Sequence, residues 1–383
     1  MYRRLLVFLL FPCLFLIPGC WDRAEINETA IAVALGVDTA SNDQILFTVQ
    51  LLAAEQEGAG EKQPSFVTVS AFGSTLTTAA GNIMLKNPRS ILWQHSAVMV
   101  LGEDLAEKGL SGLADELARN RNIRQTDALF VARKATAAEV LSIPTPVDKI
   151  PGTALESMIR IQDVAAGIYS QTLLHEFISR TAAPGIEPAV PGIAVVEREH
   201  GKKYLELSGT AVFRQGKLLG WLNETESRGY RWLRPKMVLG GTITVKCPAC
   251  GQPVLIQNVR SQSQLKPELR AGHVVMHIKV RGEGFFYEQR CLHQLVTPEM
   301  MPILNQHVEG VIKNQITSAV VKAQALNSDI FGFGAAVRRK YPDQWAALEP
   351  RWDEIFPAIK LEFDVDAHIR RTNLRSQTAR LKY

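Results

Sequence analysis

The sequence predicts an α+β protein with mixed and antiparallel sheets and packed helices, two to three domains long, behind a short apolar leader. Three observations carry this expectation. Runs rich in β-branched residues alternate with stretches of helical spacing throughout the first half. The strands of the second half are joined by short connections, which favours antiparallel pairing. The first 19 residues have a composition of their own.

The leader runs from Leu5 to Ile17, follows Arg3 and Arg4, and ends in Pro18-Gly19-Cys20-Trp21-Asp22. Its 13 residues rise roughly 20 Å as a helix, too short to span a bilayer comfortably and typical of a secretory segment. Ile17 at −3, Gly19 at −1 and Cys20 directly after them form a lipobox, with Pro18 its one atypical residue. The region 1–19 therefore reads as a lipoprotein signal peptide, and Cys20 as the lipidation site and mature N-terminus. Two acyl chains, at roughly 0.8 kcal/mol per buried CH₂, give durable anchoring.

Removal of Arg3 and Arg4 lowers the formal net charge from +5 to about +3, without long blocks of like charge, and nucleic acid is not suggested. Of five cysteines, Cys13 leaves with the leader and Cys20 is acylated; Cys247, Cys250 and Cys291 do not make a disulfide scaffold. No later segment approaches 18 uninterrupted apolar residues.

Strands are expected at 31–38 and 45–52 around a Thr39 to Asp43 turn, then at 66–71, 96–101 and 128–132. Helices are expected at 74–86, ended by Asn87-Pro88, at 105–119, and at 136–142 before Pro144. Residues 152–181 read as mostly helical with an interruption near Gly167, and 182–192 as rich in turns. A joint is expected near 185–205.

Beyond it, 205–214, 217–222, 241–246, 254–263 and 273–287 read as strands, with one helix at 224–233. The longest helix follows, with Thr297 as N-cap, Pro298 in the first turn, and an apolar stripe of Leu304, Val308, Val311, Ile312, Ile316, Val320 and Ala323. Residues 329–341 have their own cap at Ser328 or Asp329, and 358–370 form a last strand. The expected domains are thus 20–200, α+β with room for two subdomains, and 205–372, α+β with the long helix, before a polar tail at 373–383.

Distinctive landmarks lie along this frame: Gly19-Cys20-Trp21-Asp22-Arg23-Ala24-Glu25, Ala34-Leu35-Gly36-Val37-Asp38, and His95 followed by Ala97 to Glu103. Farther on come Ser208-Gly209-Thr210-Ala211-Val212-Phe213, Asn223 to Gly229, and Asp329-Ile330-Phe331-Gly332-Phe333-Gly334 before Tyr341-Pro342-Asp343-Gln344-Trp345. Together they resemble the Ger(x)C family, the lipoprotein C subunits of GerA-type germinant receptors, over essentially the whole mature chain. The resemblance implies a non-catalytic subunit needed for spore germination. Its partners would be the integral-membrane A and B subunits and, through Cys20, membrane lipid. Its place would be the extracytoplasmic face of the spore inner membrane. No catalytic residue and no cofactor carry over.

Among the chemical motifs, Cys247-Pro248-Ala249-Cys250-Gly251 is half of a zinc knuckle, which Cys291 and His293 would complete as a Cys₃His set. A Cys247–Cys250 disulfide, a zinc site and free thiols are all open, and the family resemblance requires no metal. His273 and His277 sit in a strand pattern, roughly 13 Å apart and too far to share an ion. Gly332-Phe333-Gly334 lacks the third glycine of a dinucleotide fingerprint, and Ser263-Gln264-Leu265-Lys266 lacks the companion motifs of a penicillin-recognising site. Trp21 either rests at the headgroup level or packs on the first domain; Trp221, Trp232, Trp345 and Trp352 are expected in the core.

Two other classes are weaker. An extracytoplasmic solute-binding lipoprotein that captures the nutrient itself usually has two lobes of parallel βαβ units, against which the antiparallel second half argues. A cell-wall enzyme needs a convergent acid–base or nucleophile set.

Overall fold

The computed structural model describes residues 28–53 and 66–372. The expected lipid site at Cys20, the neighbouring Trp21 and the polar tail lie outside the described residues. In chain order the strands and helices begin with β1 (Thr29–Thr39), β2 (Ile45–Leu52), β3 (Phe66–Gly73), α1 (Leu76–Met84), β4 (Ser90–Leu92) and β5 (Val98–Gly102). There follow α2 (Glu103–Lys108), α3 (Ser111–Arg119), β6 (Ala128–Arg133), α4 (Ala137–Ser142), α5 (Pro151–Ala165) and α6 (Leu174–Ala182). Next come β7 (Ala189–Glu197), β8 (Lys203–Arg214), β9 (Lys217–Leu222), α7 (Glu224–Trp232), β10 (Val238–Leu239), β11 (Thr242–Lys246), β12 (Pro253–Arg270) and β13 (His273–Gln289). The chain continues through α8 (Met300–Ala325), α9 (Phe333–Lys340), α10 (Pro342–Leu348), α11 (Trp352–Ile355) and β14 (Lys360–Thr372).

The first sheet has the order β3-β2-β1-β5-β6-β7-β8-β9, with β4 beside the start of β1. Its centre, β1-β5-β6-β7, is parallel, and both flanks are antiparallel meanders. Central parallel strands must be covered on both faces. Leu35, Val37, Met99, Leu101, Leu129 and Val131 pack under α1, α3 and α6, and Ala34, Val98, Val100 and Phe130 under α4 and α5. The residues at which a joint is expected, 185–205, lie largely within this sheet. Pro191 and Gly192 punctuate the sequence there, yet both sit in β7, where a register shift accommodates them against β8. Gly192 leaves room for the indole of Trp221, which an added Cβ would strike at 2.4 Å.

The expected helix at 105–119 is two helices, because Gly109 adopts φ +118 between α2 and α3. Thr75 caps α1 and Thr136 caps α4, each hydroxyl accepting from the backbone N–H three residues on.

The second sheet is β10 and β11 beside β12, then β13 and β14. β12 and β13 form one long antiparallel hairpin, and Ala271 and Gly272, both with positive φ, make its tight turn. β14 instead runs parallel to β13, since α8 carries the chain back across the sheet before it re-enters. Leu304, Val308, Ile312, Ile316, Val320 and Ala323 of α8 are buried over one sheet face. Complete burial of each larger side chain contributes roughly 1.5–3 kcal/mol. The helix begins at Met300, but its first N–H still bonds to the Thr297 hydroxyl at 3.3 Å. The opposite sheet face is a charged ladder in which His277 bonds Glu268 and Glu362 and Arg281 bonds Asp364 and Asp366.

Candidate functional site

Three of the sequence landmarks converge where the two sheets meet. Asn223 and Glu226 form a capping box that starts α7, each side chain accepting from the other's backbone N–H. Ser227 on α7 then meets the Thr210 hydroxyl of β8 at 2.9 Å in a buried pair. Arg228 donates to the carbonyls of Ala166 and Thr242, and Arg231 bonds Asp163 Oδ1 at 2.7 Å while donating to the carbonyls of Asp163 and Leu239. Both arginines thereby tie the end of α5 and the residue after it to the edge of the second sheet. Gly229 lets α7 cross α8 at close range: an added Cβ would stand 2.0 Å from the Gln315 carbonyl oxygen.

The Asp329 to Gly334 landmark is a helix start. Asp329 Oδ1 accepts from the N–H of Gly332 and Phe333, and Oδ2 from Gly334 N–H and from the Trp352 indole at 3.1 Å. Gly332, at φ +74, precedes α9. Gly334 approaches Gly185 of the first half so closely that a Cβ would fall 2.6 Å from its Cα. The same junction carries Glu187 N–H to Asp329 O and Ala335 N–H to Gly185 O. Burial pushes the Asp329 carboxyl up to about 6, against the pull of its four donors. Burial likewise takes Glu187 up to about 7, with Arg214 and the Gln215 N–H opposing.

Asp38, at the end of the Ala34 to Asp38 landmark, caps α4 through Ala137 N–H at 2.7 Å and Ala138 N–H at 2.9 Å. Gln50, which the sequence did not single out, is buried and bridges β2 to Leu141 O and Gly152 N–H. Only its polar character, shared in β2 with Thr48 alone, signalled it. Asp38 and Gln50 are spent on main-chain contacts that position α4 and α5 on the first sheet.

Trp232, Trp345 and Trp352 are buried as expected, and the last two pack with ring centroids 5.2 Å apart. Trp221 is half-buried, donating to Glu103 under the Arg133 guanidinium. His273 and His277 lie in β13, and 263–266 in β12.

The four candidate metal ligands do come together. Cys247, Cys250, Cys291 and His293 place their ligand atoms within 4.8 Å of one another, and the Cys247 and Cys291 sulfurs are 3.7 Å apart. Burial works against ionisation of Cys247, but the N–H of Ala249 and the Cys250 and Cys291 groups outweigh it and hold this thiol below its ordinary range. Burial pushes the Cys291 thiol up to about 11.

Among the described residues, two of the clefts large enough for a small ligand have largely apolar walls. One, of 540 Å³, has Phe47, Leu76, Trp93 and Ile123 in its wall and Glu116 and Arg119 at its rim. The other, of 670 Å³, lies between the halves, with Ile186, Leu233 and Phe331 beside Arg180, Lys266 and Arg339. Among the described residues no helix is long and apolar enough to cross a membrane.

The fold and its polar junction define a two-sheet α+β scaffold whose landmark residues serve architecture. A family model for the N-terminal domain of spore germination proteins matches residues 22–195, and one described as spore germination B3/GerAC like, C-terminal, matches 208–373. The chain belongs to this GerAC-like family of spore germination proteins. Spore germination protein KC of Bacillus subtilis (strain 168) is 28% identical, with 98% of this chain and 97% of that protein covered. Spore germination protein B3 of the same organism is 24% identical, with 94% and 96% covered. The crystal structure of the GerBC protein has the same fold, with a TM-score of 0.55 at 20% identity over 88% of this chain and 96% of that one.

Proposed function

We propose that this chain is the lipid-anchored, non-catalytic C subunit of a nutrient germinant receptor. Cys20 carries the lipid, the folded body stands on the extracytoplasmic face of the spore inner membrane, and its partners are the integral-membrane A and B subunits. The observation that carries this reading is end-to-end membership of the GerAC-like family joined to a lipobox at Gly19-Cys20. A tether raises the local concentration of the body near membrane neighbours, so modest interfaces suffice for assembly.

The non-catalytic part is supported by the use of two buried carboxylates. Asp38 and Asp329 are engaged by backbone N–H groups. The domain division we favour has an N-terminal α+β unit over 20–200 and a C-terminal one with the long helix over 205–372, in contact through Arg228, Arg231 and Asp329.

Membrane fractionation of Cys20→Ala tests the anchor. The substituted chain is expected to leave the membrane fraction; tight retention of a correctly cleaved Cys20→Ala chain would contradict the assignment.

A further inference from the structure

We propose that Cys247, Cys250, Cys291 and His293 bind one structural zinc ion that staples the β11–β12 turn to the connection between β13 and α8. Both halves of the set are shaped before any metal is considered. In the turn, Cys247 N–H bonds to Gln252 O at 2.7 Å and Gly251 N–H to Cys247 O at 2.9 Å. Gly251, at φ +74, makes the left-handed step that turns the chain from Cys250 into β12. The Cys247 sulfur faces the N–H groups of Ala249 and Cys250. Two cysteines separated by two residues in such a turn present both sulfurs to one point.

The second half is clamped independently. Arg290 N–H bonds to Pro253 O, fixing the chain after β13 against the start of β12. The Gln289 amide donates to the carbonyls of Cys291 and of His293, both at 2.7 Å. This folds Cys291-Leu292-His293 over the turn, so that thiol and imidazole approach the knuckle from the opposite side.

Zinc is the ion this donor set fits. Three sulfurs and one imidazole, with no carboxylate among them, select a borderline-soft ion and disfavour magnesium or calcium. With Zn–S near 2.3 Å, sulfurs at two corners of a tetrahedron stand roughly 3.8 Å apart. Cys247 and Cys291 are separated by 3.7 Å, and all four ligand atoms fit within 4.8 Å. Four protein ligands close the coordination sphere, which makes the site structural. The bound thiols release their protons to solvent as the Zn–S bonds form.

The physical consequence concerns the approach to the long helix. Residues 290–299 join β13 to α8 without regular structure, and Leu295 is their one fully buried apolar anchor. A zinc ion tied to both Cys247 and Cys291 would fix this segment to the sheet where α8 begins. The His307 Nδ1 contact with Lys246 O, at 3.0 Å, continues the same seam into the helix.

The test is metal analysis of the full chain, purified from membranes under reducing conditions after exposure to zinc alone and passage over a weak chelator. One zinc per chain is expected, falling to none in Cys250→Ser and in Cys291→Ser. His293→Ala, at an exposed position, is expected to keep the fold, weaken zinc retention at least tenfold, and alter the sulfur-to-cobalt charge-transfer bands of the cobalt-substituted protein. Stripping the zinc is expected to lower the thermal midpoint of the parent and leave that of Cys291→Ser unmoved. Substoichiometric zinc lost to the weak chelator would overturn the proposal. So would a disulfide between any two of Cys247, Cys250 and Cys291 in the chain as isolated from spores. Both outcomes are independent of whether the receptor assignment stands.

Discussion

The Asp329 carboxylate accepts the indole N–H of Trp352 while its remaining lone pairs take three successive backbone N–H groups, so one side chain holds both the start of α9 and the buried Trp352 ring. Asp329→Ala leaves four buried donors without this acceptor. At about 1–3 kcal/mol for a buried unpaired group, partly relieved by rearrangement, a loss of at least about 3 kcal/mol is expected. Urea unfolding followed by tryptophan fluorescence measures it; a shift below about 1 kcal/mol would show that α9 has another anchor.

Glu187 gives the junction a pH dependence. Its folded pKa, raised by burial to about 7 from an ordinary 4.5, means that the folded chain holds a proton the unfolded chain has released. Its stabilising contribution is therefore complete below pH 4.5 and lost as pH rises through 7, at a limiting slope of about 1.4 kcal/mol per pH unit. Glu187→Gln keeps an oxygen for the Gln215 N–H and abolishes the titration. The stability of the variant relative to the parent should climb between pH 4.5 and 7 and level off above. Asp127, also raised, titrates in both proteins and cancels, whereas Asp329, whose charge raises Glu187, cancels only in part. A flat difference in urea midpoints over this range would refute the assignment.

Two glycines of the α7–α8 pair should respond in opposite ways to the same substitution. At Gly229 a Cβ meets the Gln315 backbone at 2.0 Å, whereas at Gly310 it meets nothing within 4 Å. Gly229→Ala must push the helices apart, costing about 3 kcal/mol and stretching the 2.7 Å Trp232–Gln315 bond. Gly310→Ala fills open space and removes helix-interior backbone entropy, so it should stabilise by up to about 1 kcal/mol. Equal midpoints for the two variants in thermal unfolding would contradict the close crossing.

Asp38 supplies α4 with two of its N-terminal acceptors, while the Thr136 hydroxyl serves Glu139 N–H. Asp38→Ala is expected to cost about 2 kcal/mol, the upper range for a lost cap, because the site is buried. Amide exchange at Ala137 and Ala138 should accelerate before that of β5. Unchanged protection of these amides would exclude the capping role.

The sequence was readable where a single physical rule governed. Helical spacing marked the helices expected at 74–86, 136–142 and 224–233, and the Leu304 to Ala323 stripe announced the long helix. It misled where two rules competed. Pro191 and Gly192 read as turn residues, but a bulge and the Trp221 ring make them strand residues of β7. Gly109 divides one helical pattern into two helices because its φ of +118 cannot continue either. The parallel entry of β14 depends on where α8 deposits the chain, a long-range property that local periodicity does not encode. Spacing alone left the cysteines with three readings, since it carries Cys247 and Cys250 together but says nothing of the 44-residue separation that the hairpin closes to bring in Cys291.

The central claim, a C subunit working beside membrane partners, is tested most directly by affinity purification of the tagged full-length chain from gently solubilised spore inner membranes, followed by mass spectrometry. Two polytopic membrane subunits are expected in stoichiometric amounts with the lipid-bearing chain. Recovery of the chain from that membrane without either subunit would contradict it.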